Sequence, residues 1–457
     1  MAESNSIWAE HALTAEGWQS GVAIRMDESG TIVGVSANQP PSGTRVGILL
    51  PAMANLHSHA FQRAMAGMTE TRGPDPRDSF WSWRKLMYRF LQHLSPEDIE
   101  SITAFGQMEM LESGYASVGE FHYLHHQADG NPYQQRAEMC ERIISAASLT
   151  GIGLTLLPVL YEQGGCDGRP LTDGQKRFGN TIDSFSALYS DAKTNIERHL
   201  PNASIGIAPH SLRAVSQSSL SASQQLANGG PFHIHIAEQD AEVQEIQAAW
   251  QARPVEWLLS NHAVDQSWCL IHATQMLPHE TEKLAQTGAS VGLCPITESN
   301  LGDGMFNGTL YQENDGVWGI GTDSNVRISL SEELRTLEYS QRLRDKGRSI
   351  YADESRSTGR VLYEAALFGG TQALQRESGS IAVGKVADMM VLDASATNLV
   401  AVENDQWLDA WIFASDDRLI TDVWSSGAHM VKEGRHVLRH QIDSRYRKTM
   451  SALSHLL

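Results

Sequence analysis

Eight apolar runs of strand length, helical stretches between several of them, and hairpin-like patterning at both chain ends predict an α/β protein. The architecture they favour is a (β/α)8 TIM-like barrel with a small β-sandwich domain formed from both chain ends. An open doubly wound sheet is the competing fold. It usually has fewer strands and often a glycine-rich first turn, and this chain offers only isolated GxG pairs at 151–153 and 319–321.

Taken in chain order, residues 21–36 alternate apolar and polar positions around a turn at Asp27–Gly30, a hairpin signature. The barrel runs follow at 49–59, 116–124, 151–161, 203–211, 232–239, 267–275, 289–296 and 317–324. They are apolar on both sides, as parallel strands covered by helices are. Residues 96–114 and 131–151 show the helical period expected of the covering layer. Residues 378–393 and 420–438 return to hairpin patterning. The predicted division is a β domain from residues 1–50 and 376–440, a catalytic barrel over 51–375 and a helical tail over 441–457. An eightfold βα repeat usually takes about 250 residues, more with insertions, which this 457-residue chain accommodates.

With 41% hydrophobic and 19% charged residues, the composition is that of a folded globular protein. The net charge of −19 repels nucleic acid and anionic lipid surfaces, so neither is expected as a partner. The first residues form neither a cationic nor a continuous apolar signal region, and no run of ~18 apolar residues occurs. A cytoplasmic protein is expected. The Asn-x-Ser/Thr triplets at Asn202 and Asn307 then carry no meaning. Four cysteines, Cys140, Cys166, Cys269 and Cys294, lie far apart with no C-x-x-C pair. Cys269 and Cys294 read as small buried hydrophobes.

A barrel should gather its chemical residues at the C-terminal ends of the strands. The first run ends in Asn55-Leu56-His57-Ser58-His59, where strand alternation puts His57 and His59 on one face, able to share an ion. His235, His272 and Asp323 end the fifth, sixth and eighth runs. One HxH alone is a weak signal; the same pair followed by His, His and Asp in barrel order is a strong one. Imidazoles with one carboxylate suit zinc or iron(II), with a position left open for water. Such an ion lowers the pKa of bound water to about 7. Glu238, three residues after His235, is placed to move a proton; the alternative is a first-turn glutamate of the next helix. His233 shares parity with His235 and stays open as a ligand on that ground. His122, His125 and His126, after the second run, read as loop packing or support behind the site.

These positions, together with the stretch Gly-Ser-Ile-Ala-Val-Gly-Lys-Val-Ala-Asp at 379–388, resemble the amidohydrolase superfamily across nearly the whole chain. The fourth run, 205–211, has no lysine that could be carbamylated to bridge two metals, so the resemblance is to the mononuclear, deaminase-like branch. It implies one divalent ion per chain, zinc before iron(II), held by His57, His59, His235 and Asp323. Glu238 then corresponds to the proton shuttle, His272 to a residue polarising substrate or water, and Asp323 doubles as a base.

The motifs at 59–63, 80–84, 120–123 and 208–213 further resemble the formimidoylglutamate deiminases of bacterial histidine degradation. That resemblance implies hydrolysis of N-formimino-L-glutamate to N-formyl-L-glutamate and ammonia, by attack of metal hydroxide on the formimino carbon. Such a substrate carries two carboxylates, and guanidinium groups are their usual bidentate partners. Arg84 and Arg213 fall in these motifs, with Gln62, Tyr123 and His210 as neutral hydrogen-bonding partners. The alternatives are a packing role for Arg84 in a tryptophan-rich helix and a salt-bridged loop role for Arg213. Phe80, Trp81 and Trp83 read as packing or lid residues. A guanine- or aminotriazine-type aminohydrolase acts on an uncharged ring and needs no arginine pair. A non-catalytic barrel would have lost ligands, and all are present. A homodimer is the default expectation at this size.

Overall fold

Each of the eight apolar runs contributes to the barrel sheet, the fourth as two short pieces, and the ends of the chain become a separate sheet. The computed structural model describes residues 6–70 and 80–454, without the side chains of residues 80–82. The N-terminal strands are β1 (Ser6–Thr14), β2 (Gly17–Met26), β3 (Ile32–Ser36) and β4 (Thr44–Pro51). The barrel follows with β5 (Met53–Ser58), β6 (Tyr115–His122) and β7 (Gly153–Leu160), then the short β8 (Ser204–Ile205) and β9 (Ala208–Pro209). It continues through β10 (Phe232–Ile236), β11 (Trp268–His272), β12 (Ser290–Leu293) and β13 (Val317–Ile320). The chain then returns to the first sheet with β14 (Met389–Leu392), β15 (Ile420–Ser425), β16 (Ala428–Lys432) and β17 (Arg435–His436).

The barrel strands pair in parallel as β5-β6-β7-β8 and β10-β11-β12-β13, with β9 against β7. Parallel bridges join the two halves at both seams: Ser58 to Asp323 on one side, Ile207 to Phe232 and Ser211 to His235 on the other. The fourth run is split between Ile205 and Ala208, where Gly206 gives its N–H to the Leu156 carbonyl and Ile207 gives its own to the Pro231 carbonyl. Every residue of β5, β6, β7 and β10 is buried, the outcome expected of strands covered on both faces.

The covering helices start where side chains can satisfy the free N–H groups. Ser95 caps the helix Pro96–Glu112 in a capping box with Asp98, and Thr181, Ser216 and Ser357 cap Ile182–His199, Gln217–Ala227 and Thr358–Leu374. The last of these closes the base of the barrel. Its Ala373 and Leu374 pack with Ala54, Leu56, Cys269, Ile271 and Cys294 in the barrel interior. Gly369 permits this approach, since a Cβ there would lie 1.9 Å from the Trp318 carbonyl oxygen. Gly369→Ala is therefore expected to lower unfolding stability by about 1–3 kcal/mol, read as an earlier midpoint in urea. An unchanged midpoint would show that the helix can slide away at no cost.

The two ends of the chain meet in one eight-stranded sheet of order β17-β16-β15-β14-β4-β1-β2-β3, antiparallel except for the parallel pair β1 and β4. Its inner face has a core of its own that includes Ile7, Val22, Ile24, Met389, Val391 and Trp424. The sheet curls so that the turn after β2 touches the turn after β15. There Gly30, at φ +80°, sits where a Cβ would fall 1.9 Å from the Ser426 carbonyl. The helix Arg439–Leu453 then packs along Pro96–Glu112, stacking Tyr446 on Phe105 at 3.9 Å.

Candidate active site

The C-terminal ends of the barrel strands bring His57, His59, His235 and Asp323 together, with one donor atom from each lying within 4.8 Å of the others. His57 and His59 project from the end of β5 and just beyond it, and His235 from β10. Asp323 stands beyond β13, hydrogen-bonded through its backbone to His57 and His59 across the seam. Its carboxylate lies 3.4 Å from His57 Nε2 and 3.3 Å from His59 Nε2.

The donor set fits a divalent cation. His59 Nδ1 faces the Phe121 carbonyl at 2.9 Å and His235 Nδ1 faces the His210 carbonyl at 3.0 Å. With Nδ1–H donated to those carbonyls, Nε2 is left as a lone pair toward the cluster. Both nitrogens of buried His57 lack a hydrogen-bond partner in the protein. Burial holds His57, His59 and His235 below the usual histidine range, in the neutral form that coordinates. His233 is resolved by depth: its Nε2 bonds the Ala373 carbonyl at 2.8 Å, in the layer beneath the cluster.

Glu238 and His272 stand beside these four. His272 Nε2 is 3.9 Å from Glu238 and 3.8 Å from Asp323, and its Nδ1 is 3.2 Å from Glu298. Burial works against a charge on His272, yet the carboxylates of Glu238, Glu298 and Asp323 push it up to about 10. Burial pushes Glu238 up to about 6, with Asp323 and Glu242 adding to the effect and His272 and Arg213 opposing it. Glu238 does not cap the next helix. That helix, Asp240–Trp250, is preceded by Gln239, and Glu242 takes the backbone N–H groups of Ala237 and Glu238. Four non-glycine residues here, Ala237, His272, Ala273 and Asp323, have positive φ, a strain of about 1–3 kcal/mol each.

A pocket opens above the cluster, lined by Gln62, Arg84, Tyr123, His210 and Arg213 as well as His59, His235, Glu238, His272 and Asp323. Arg84 donates to the phenol oxygens of Tyr88 at 2.5 Å and Tyr161 at 3.2 Å. Arg213 is buried, 4.0 Å from Glu242, and its Nε has no protein partner. Gln62 donates to Tyr123 at 2.9 Å and leaves its carbonyl oxygen unpartnered. Trp83 also lines the pocket; Phe80 and Trp81 lie outside the described side chains. His122, His125 and His126 are buried outside this pocket, where the backbone N–H groups of His125 and His126 hold the Arg177 carbonyl.

The sequence reading missed Tyr88, Tyr161, Glu242 and Glu298. Three of them had a signal: Tyr88 is four residues beyond Arg84 on one helix, Glu242 four beyond Glu238, and Glu298 four beyond Cys294, the spacing at which helical neighbours meet. Tyr161 reaches Arg84 only through the barrel's closure.

Among the described residues, no helix is long and apolar enough to cross a membrane. A profile of the amidohydrolase family matches residues 48–430. The formimidoylglutamate deiminase of Pseudomonas aeruginosa is 48% identical over 438 residues, 94% of this chain and 96% of that one. The crystal structure of an amidohydrolase from Brucella melitensis superposes with a TM-score of 0.94 at 43% identity, covering 98% of this chain and all of that one. A zinc-bound adenosine deaminase from Xanthomonas campestris shares the fold, with a TM-score of 0.82 at 20% identity over 99% of this chain and 98% of that one. With a profile match over most of its length and close relatives covering nearly all of it, the chain belongs to the amidohydrolase family.

Proposed function

We propose that the protein hydrolyses N-formimino-L-glutamate to N-formyl-L-glutamate and ammonia. The supporting observation is one pocket that combines a four-ligand metal cluster and a buried glutamate at its floor with two arginines on its wall. Two guanidinium groups suit a substrate with two carboxylates, and the metal with a proton carrier suits hydrolysis of an amidine. The relative from Pseudomonas aeruginosa has the matching name.

His57, His59, His235 and Asp323 would hold a divalent ion, which would supply Lewis acidity for the hydrolytic attack. Arg84 and Arg213 bind the glutamate moiety, and the Gln62 carbonyl, Tyr123 and His210 orient the formimino group. Asp323 accepts the proton of the attacking water. Glu238, poised at about 6, passes a proton to the departing amino nitrogen. His272, kept charged by three carboxylates, would donate a hydrogen bond to the oxygen that adds to the formimino carbon. Zinc is the ion this reading assigns, as the nitrogen-rich set with one carboxylate favours. A cytoplasmic homodimer completes this reading, and four buried cysteines with no disulfide among the described residues suit a reducing compartment.

An ammonia-release assay against N-formimino-L-glutamate, with N-guanidino-glutamate and guanine as comparisons, tests the proposal. Equal release from guanine, or none from N-formimino-L-glutamate, overturns it. Arg84→Ala and Arg213→Ala are each expected to lower kcat/KM by roughly 30-fold or more, the effect of truncating one partner of a desolvated charge pair. Wild-type kcat/KM after loss of both arginines would point instead to an uncharged ring as substrate.

A further inference from the structure

Strand alternation sends Phe121 into the barrel, where its ring lies 4.5 Å from that of His235, and turns its neighbour His122 outward. On that outer side His122 meets His125, from the following loop, and Cys140, from the helix Glu138–Thr150. One nitrogen of each imidazole and the sulfur all lie within 4.8 Å of one another, and the three residues are at most 2% exposed.

Both imidazoles are already oriented as metal-bound histidines are. His125 Nε2 bonds the Val159 carbonyl at 3.0 Å, which puts its proton there and leaves Nδ1 a bare lone pair. His122 makes a backbone hydrogen bond at Leu124, and its Nε2 is the nitrogen left over. Neither left-over nitrogen has a protein partner. Each imidazole of the cluster thus keeps one buried nitrogen without a protein partner, and the cluster's one thiol has a single S–H proton to give. An unmet buried acceptor is costly, and a bound ion that accepts electrons from all three groups would meet both nitrogens at once.

We propose that His122, His125 and Cys140 form a second, closed metal site that takes a soft monovalent cation, copper(I), independent of the reaction in the barrel mouth. A thiolate with two imidazoles is a soft donor set. Charge selects the monovalent ion: one thiolate and one unit positive charge leave a neutral centre in a dry interior, whereas zinc(II) would leave an uncompensated positive charge. Zinc(II) would also want a fourth donor in a structural site, and among the described residues no fourth histidine, cysteine or carboxylate joins these three within 4.8 Å. Binding replaces the Cys140 S–H bond by a sulfur–copper bond and releases one proton, with no change of oxidation state. Burial holds the thiol at about 12 and His122 at about 3, so without the cation the cluster stays un-ionised. The bound ion would pin the 123–137 connection, which begins with the pocket residue Tyr123, to the barrel's outer wall.

The test is anaerobic titration of the zinc-loaded enzyme with copper(I) against a chromophoric copper(I) chelator, followed by elemental analysis and copper X-ray absorption. One copper per chain beyond the zinc, with one sulfur and two nitrogen neighbours, is expected. Cys140→Ser and His125→Gln should each weaken its retention on the order of 100-fold or more. No copper held against the chelator would mean that the nitrogens are met by water alone, and this overturns the proposal. A copper shell without sulfur, or undiminished copper in a folded Cys140→Ser protein, overturns it as well. Should either variant fail to fold, the absorption spectrum of the unaltered protein decides the matter by itself.

Discussion

Replacing Glu238 with glutamine is expected to lower kcat for N-formimino-L-glutamate by about 10²- to 10⁴-fold, the usual contribution of a positioned proton carrier, while one metal ion per chain is kept. The separation of the two effects comes from geometry. Glu238 is outside the four-residue ligand group, and the amide is nearly the same size as the carboxyl. The backbone around it is held independently, by Glu242 at the N–H of residues 237 and 238 and by Thr274 at the Glu238 carbonyl. What glutamine lacks is the ability to take up and release a proton near neutral pH, the property that burial gives to Glu238 at about 6. Ammonia release measures kcat and elemental analysis measures the metal. A variant within tenfold of wild type would remove Glu238 from the proton path.

Asp323→Ala is expected to abolish both turnover and metal retention. Its carboxylate is the single anionic donor among three neutral imidazoles, 3.4 Å from His57 and 3.3 Å from His59. Without it, a divalent ion would sit among buried neutral ligands with its charge uncompensated. The loss in metal affinity should exceed the 10- to 100-fold that follows removal of a merely supporting partner. Chelation of the wild-type enzyme should reproduce the loss of activity, and added zinc should restore it there and not in the variant. A metal-loaded, active Asp323→Ala protein would show that the ligand set is wrongly drawn.

The barrel was legible because burial on both faces leaves uninterrupted apolar runs, and because a strand's alternation makes His57 and His59 a pair in any register. Alternation is also where reading stopped. It gives His233 and His235 the same face, and only the depth of each residue in the barrel, marked by the Ala373 carbonyl near the end of its helix, separates a structural histidine from a ligand. Arginines that recognise substrate were visible as motif positions, whereas the phenols that orient Arg84 come from different parts of the chain, Tyr88 from its own helix and Tyr161 from the end of β7. The buried glutamates behave similarly. Glu242 and Glu298 look like ordinary helix residues in sequence, and acquire their roles only when the strand ends converge.

The sheet shared by the two ends of the chain also sets the order in which the protein can be completed as it is made. Strand β4 pairs with β1 on one side and with β14 on the other, matching Pro51 to Met389. At roughly 5–20 residues per second on the ribosome, β4 waits for tens of seconds before that partner emerges. Throughout that interval its Leu49 and Leu50, fully buried in the finished molecule, lie along an open strand edge of the kind that recruits other chains. The nascent protein is therefore most prone to aggregate during synthesis of the barrel itself, and a chaperone that shields the N-terminal strands until β14 arrives should raise the yield more than one acting after release.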